Sequence, residues 1–174
     1  MDIRDCFRKY RDEIPRLWTE AVYATYPFET KGVLRTVSDP FGNPGADMTQ
    51  EAAKGLYDAV AGEETSIDDV RASLERFVKL RAVQRHTPSR ALGVFFLLKP
   101  IMREKFAPHC ATPAAVSDYL TAESRLDSLA LMAFDMYMAD RETLAQARID
   151  EIRDRYAQIA RWARSFKAGS LIAG

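Results

Sequence analysis

The side chains best suited to chemistry are two histidines, His86 and His109. Neither has a partner at the spacing that metal binding or general-base catalysis uses, such as HxxxH or HExxH. Both fall where helices are expected to end, an ordinary place for a histidine. No GxSxG elbow, phosphate-cradling glycine loop or GxGxxG is present. The 25 acidic residues would supply a carboxylate pair under any fold, so such a pair carries no information. These readings predict a chain that is not an enzyme, with no catalytic residue, no metal ligand and no cofactor.

A more specific constellation lies on the helix predicted over residues 66–86. At about 100° per residue, Val70, Leu74 and Phe77 define its buried face. Arg81 and Gln84 continue that face almost on its centre line, polar residues where the pattern asks for apolar ones. An uncompensated buried charge costs on the order of 3–5 kcal/mol, so Arg81 calls for a partner. Asp135 is the one charge inside the apolar run over 129–139, and the expectation is that Arg81 and Asp135 meet in the interior. Two readings stay open. The cluster of Arg81, Gln84 and Asp135 is a structural ion pair fixing helix register, or it lines a ligand pocket with Phe95, Phe96, Met132 and Phe134 as apolar wall. Met132, Met136 and Met138 read as core filling.

The elements that must position these residues are helices. The chain has 174 residues, 47% of them apolar and 29% charged, the profile of one globular domain with a substantial core. Lysine plus arginine balance aspartate plus glutamate at 25 each, which argues against a sequence-independent grip on nucleic acid. Cys6 and Cys110 sit in no CxxC or Cys/His cluster and read as unpaired thiols in a reducing cytosol. The charged N-terminus has no apolar core, so no signal peptide is expected. No run approaches the roughly 18–20 apolar residues of a membrane span. The expected compartment is the cytoplasm.

Apolar residues recur at helical spacing over 2–26, with Pro15 as a restart signal. A short helix is expected over 27–35, followed by the Gly/Pro-dense loop over 38–45. The next helix spans 46–61 and stops at Gly62. Ser66 caps its successor, with Asp68 and Asp69 in the first turn. Thr87-Pro88 reads as a cap followed by a proline at the first helical position. The run that follows is apolar almost all round and belongs in the middle of the fold. Pro100 is expected to kink this central helix, 88 to about 106. Thr112-Pro113 repeats the cap-plus-proline restart. From Ala114 to Ala168 there is neither glycine nor proline, and a break is expected near residues 121–124. The run over 129–139 is expected to be buried. Ile149, Ile152, Tyr156, Ile159, Ala163 and Phe166 then form a narrow stripe at near-heptad spacing, suited to packing on the body or on a second copy. The predicted fold is all-α: a single-domain bundle of about seven or eight helices over 1–168, with a flexible tail over 169–174.

Four ordered blocks, ATYPFET (24–30), DPFGNP (39–44), KLRAVQRHTPSRALGVFFLLK (79–99) and AFDMYMADRE (133–142), resemble the N-terminal domain of RsbRD-type proteins. These are co-antagonists of the kinase RsbT and belong to the stressosome group. The resemblance runs from about residue 12 to 160 and is most specific at RAVQ followed by TPSRALG. It implies a helical sensory domain, related in form to the globin-like modules of stressosome proteins that lack haem. Such domains tend to dimerise and usually precede a STAS or other output domain. The matching positions are Arg81, Gln84, Pro88, Ser89, Phe96, Lys99, Phe134, Asp135 and Tyr137, and the family offers no catalytic residue. The family often has an acidic and an aromatic residue where this chain has Arg85 and His86.

The expectation is therefore a sensor or regulatory module acting through protein–protein contact, as a homodimer, with the long C-terminal helix as dimer or output element. It would stand alone, be a fragment, or signal through a separate partner. The alternative is a small-molecule or haem binder of globin-like form. That reading needs an enclosed cavity beside Arg81 and Gln84, with His86 as the haem ligand.

Overall fold

The computed structural model describes residues 2–27, 44–63, 66–84 and 86–172, with side chains described to residue 164. The expected short helix over 27–35 and most of the loop over 38–45 lie outside the described residues. Seven α-helices occur among the described residues: α1 (Ile3–Lys9), α2 (Glu13–Ala24), α3 (Pro44–Ala61), α4 (Ile67–Val83), α5 (Pro88–Leu92), α6 (Leu98–Phe106) and α7 (Pro113–Ile172). Tight 3-10 segments follow α5 (Gly93–Leu97) and α6 (Ala107–His109). The fold class is all-α.

Local chemistry sets these boundaries. Ser66 Oγ accepts from the Asp69 amide at 3.1 Å, Thr87 Oγ1 from Arg90 at 3.4 Å and Thr112 Oγ1 from Ala115 at 3.2 Å. Each satisfies one of the amides that a helix start leaves without a partner. Gly62 ends α3 with a φ of +77°, which a side chain would make costly. Pro15 falls in the first turn of α2, so the N-terminal stretch is two helices rather than one.

Two boundaries differ from expectation. The central stretch is not one helix kinked at Pro100; it passes through the 3-10 segment at Gly93–Leu97 and restarts at Leu98. Pro100 then lies in the first turn of α6, where its missing N–H removes no intrahelical bond. The break near residues 121–124 is absent, and α7 runs through. Thr121 Oγ1 and Ser124 Oγ donate back to the carbonyls of Ser117 and Leu120, both at 2.9 Å, so these side chains are accommodated inside the helix.

The chain divides into two units, Met1–Met138 and Ala139–Gly174. In the first, one core joins all seven helices. At its centre Trp18, Phe77 and Phe95 pack with ring centroids 5.6–6.2 Å apart. Trp18 Nε1 donates to the Val94 carbonyl at 2.8 Å, which ties α2 to the 3-10 segment. A second aromatic group, Phe7, Phe106 and Tyr119, joins α1, α6 and α7. α7 presents Ala122, Leu126, Ala130, Ala133 and Tyr137 to the core. The expected burial of the whole run over 129–139 is corrected: Leu131, Phe134 and Met138 are exposed. Packing is one-sided there, and apolar composition on the opposite face does not produce burial.

In the second unit the described residues continue as helix, and 141–164 are exposed throughout. No helix among the described residues is long and apolar enough to cross a membrane.

Candidate functional site

Arg81 is 1% exposed, one of the largest fully buried side chains of the protein. It occupies the last turn of α4, on the face that Val70, Leu74 and Phe77 bury. Each of its guanidinium nitrogens has an acceptor. Nε donates to the Ala91 carbonyl at 3.1 Å, Nη2 to the Arg90 carbonyl at 3.1 Å and Nη1 to Gln84 Oε1 at 3.3 Å. The two carbonyls belong to the C-terminal turn of α5, where main-chain oxygens lack intrahelical donors and the helix dipole is negative. The Tyr26 ring lies 5.2 Å from the guanidinium carbon, an added attraction for a cation. The Tyr26 hydroxyl is also 3.2 Å from the Gln84 side-chain amide.

The structure thus brings Arg81 and Gln84 together, with Tyr26 as a third member. It does not bring Asp135. That carboxylate is exposed and accepts none of the Arg81 bonds, which corrects the expected interior pair. Two physical reasons apply. Asp135 sits two residues from both Ala133 and Tyr137, about 200° around α7 from these buried positions. And a helix terminus supplies a buried arginine with neutral acceptors, so no acid is required.

The expected apolar wall is dispersed as well. Phe95 is buried, but Phe96 is 46% and Phe134 42% exposed. Lys99 Nζ lies 5.6 Å above the Phe96 ring and pairs with Asp127 at 2.7 Å, holding that edge at the surface. His86 is half-buried, and burial, followed by the positive charges of Arg81 and Arg90, pushes its imidazole below the usual range. Its carbonyl accepts from the Tyr137 hydroxyl at 3.2 Å.

The described residues of the first unit line two clefts that bear on this cluster. One, of about 780 Å³, runs between α2 and α3 and is lined by Arg16, Thr19, Tyr23, Gln50 and Lys54 among others. The other, of about 340 Å³, lies beside Ile3, Phe7, Gly62 and Arg125. Neither is lined by Arg81, Gln84 or His86, so neither supplies the cavity that a ligand at that cluster requires. Tyr23 lines the larger cleft with its hydroxyl buried and without a hydrogen-bond partner among the described residues. Burial pushes that phenol up, and Gln50 beside it partly offsets the shift.

A second polar cluster went unread in the sequence. Glu123 on α7 is 9% exposed and accepts from Arg103 Nε at 2.8 Å, from Arg103 Nη2 at 3.1 Å and from the Tyr119 hydroxyl at 2.6 Å. The two-pronged arginine bond holds α6 to α7 and keeps the carboxyl below its usual range. The available signal was the i, i+4 pair Tyr119 and Glu123 on the face that also carries Ala122 and Leu126. Cys6 and Cys110 are free thiols.

The other feature with functional content is the stripe on α7. Ile149, Ile152, Tyr156 and Ile159 are 44%, 47%, 69% and 61% exposed. Four large apolar side chains at heptad spacing in water are the pattern of an interaction seam. The side chain of Phe166, the last member expected from the sequence, lies outside the described residues.

A family model, RsbT co-antagonist protein rsbRD N-terminal domain, matches residues 12–152, more than three quarters of the chain. No curated protein and no solved structure matches.

Proposed function

The chain belongs to the family of RsbRD N-terminal domains, and from that premise we propose that it is a non-enzymatic, cytoplasmic sensor or regulatory module that acts through protein–protein contacts. The observation that carries the reading is the exposed stripe of Ile149, Ile152, Tyr156 and Ile159. A long helix that leaves such a seam in water is stabilised when another protein covers it. The buried polar groups support the same reading. Arg81 and Glu123 use their charges to join helices to one another, and those contacts occupy the groups that would otherwise face a substrate.

In this reading the body holds α7 by its first half, through Ala122, Leu126, Ala130 and Ala133, and the second half is the output element. A change felt by the body reaches a partner through the same helix. The covering protein is a second copy of the chain or a separate partner.

Native mass spectrometry of protein purified from its own host tests the proposal, because it reports oligomeric state and retained mass together. The expected result is an assembly, with itself or with another protein, that Ile152→Glu dissociates while the helical far-UV signal persists. A bare monomer in every preparation overturns the reading. A monomer carrying a defined small molecule overturns it in favour of a ligand sensor.

A further inference from the structure

We propose that the α7 stripe receives a separate amphipathic helix whose apolar seam is flanked by aspartate or glutamate, and not a second copy of itself. The inference rests on the reading of the stripe as the protein–protein element and names the chemistry of the partner.

Ala145, Ile149, Ile152, Tyr156, Ile159 and Ala163 follow the alternating four-and-three spacing of a coiled-coil seam, with Ile149, Tyr156 and Ala163 at a and the others at d. Glu142 occupies the preceding a position, so the seam opens at Ala145. The positions beside the seam then carry one sign. Arg141, Arg148 and Arg155 fall at g, seven residues apart, and Arg153 falls at e between Gln146 and Ala160. No acid stands at e or g from 141 to 160. Asp150, Glu151 and Asp154 are at b, c and f, on the outer side of the helix.

These outer acids meet part of the flank. Arg155 pairs with Glu151 at 2.7 Å and Arg153 with Asp150 at 3.6 Å along the same helix, with every one of these side chains more than half exposed. Such pairs hold weakly and are readily exchanged. Arg148 makes no ion pair among the described residues.

Self-pairing meets this flank in either direction. A parallel pair sets g of one helix against e of the next heptad of the other, which is Arg148 against Arg153, twice by symmetry. An antiparallel pair sets g against g and e against e, again arginine against arginine wherever both are charged. A helix with acids at its own e and g positions turns the same contacts into ion pairs. The discrimination is a difference between attraction and repulsion at the same positions. The whole chain carries no net charge, so this preference belongs to the flank and not to the bulk of the protein.

The test uses the intact chain and two labelled three-heptad peptides with an identical isoleucine and leucine seam, one with glutamate and one with lysine at e and g. Fluorescence anisotropy reads binding. The glutamate peptide is expected to bind at least about tenfold more tightly, with the margin narrowing at high salt. Arg148→Glu with Arg155→Glu reverses the preference, and Arg161→Glu, at the outer f position, leaves it unchanged. Equal binding of the two peptides, or an Arg161→Glu effect as large as that of the flank variants, overturns the proposal. Light scattering separates this failure from failure of the underlying reading. A dimer that Ile152→Glu converts to monomer, and that the glutamate peptide does not displace, leaves the stripe as an interface but assigns it to self-pairing. A chain that is monomeric and binds neither peptide removes both.

Discussion

Arg81 Nε donates to the carbonyl oxygen of Ala91 at 3.1 Å and so closes the junction between α4 and α5 across ten residues of chain. Together with the bond to the Arg90 carbonyl, this makes a buried guanidinium the C-terminal cap of α5. The chain tightens into a 3-10 segment at Gly93, and a helix end leaves carbonyls that need such donors.

Arg81→Met should therefore destabilise the fold by about 2–4 kcal/mol, since it removes the donors and leaves their acceptors in the core. Arg81→Lys should recover part of the loss at most, because one ammonium cannot reach three acceptors that the guanidinium meets with three separate nitrogens. Asp135→Asn should stay within about 0.5 kcal/mol of the parent, as an exposed position does. Urea unfolding of the three variants checks this. An Asp135→Asn loss equal to that of Arg81→Met would restore the interior ion pair.

How much of this was legible follows from what leaves a mark in a sequence. Ser66, Thr87-Pro88, Thr112-Pro113 and Gly62 were readable because caps and stops are local chemistry. Arg81 was readable as a buried residue because it interrupts an apolar period. Its partners were not, since main-chain carbonyls have no sequence signature and only the ending of α5 exposes them. The apolar run around Asp135 does not reveal its exposure, because a helix held on one side buries only part of its circumference. Glu123 was invisible among 25 acids until the contact of α6 with α7 singled it out.

Gly55 lies in the interior of α3, where alanine would ordinarily favour the helix by about 1 kcal/mol. A Cβ there would stand 2.0 Å from Ser73 Oγ and 2.6 Å from Ser73 Cβ on α4. Gly55→Ala should thus destabilise, by a net of about 1–2 kcal/mol once the overpacking is set against the gain in propensity. Adding Ser73→Gly should recover much of that loss, because it removes the atoms that clash. Thermal unfolding of the two single variants and the double variant tests the close approach of α3 and α4. Strictly additive effects would mean that the two positions do not touch.

The Tyr23 hydroxyl is buried without a hydrogen-bond partner among the described residues. An orphan hydroxyl costs desolvation and returns nothing, so Tyr23→Phe should leave stability unchanged or raise it by about 1 kcal/mol. A loss of that size or more in chemical denaturation would show instead that the hydroxyl has a partner in solution, with Gln50 the side chain to test next.

The final prediction concerns acid. Arg103, ahead of the Tyr119 hydroxyl, holds the Glu123 carboxyl below its ordinary value in the folded protein. A depressed folded value means that the unfolded chain binds the proton more readily. The stabilisation is then complete above the unfolded value, near 4.5, and is lost as pH falls through the folded one. The parent protein should consequently lose more stability between about pH 6 and pH 3 than Glu123→Gln, whose amide cannot take up the proton. Tyr119→Phe should reduce the acid-dependent loss without abolishing it, because its hydroxyl is the lesser of the two hydrogen-bonding contributions to the shift. Unfolding midpoints measured across that range decide the matter. Parallel pH profiles for the parent and Glu123→Gln would mean that the α6–α7 pair is screened by water and contributes nothing to the hold on α7.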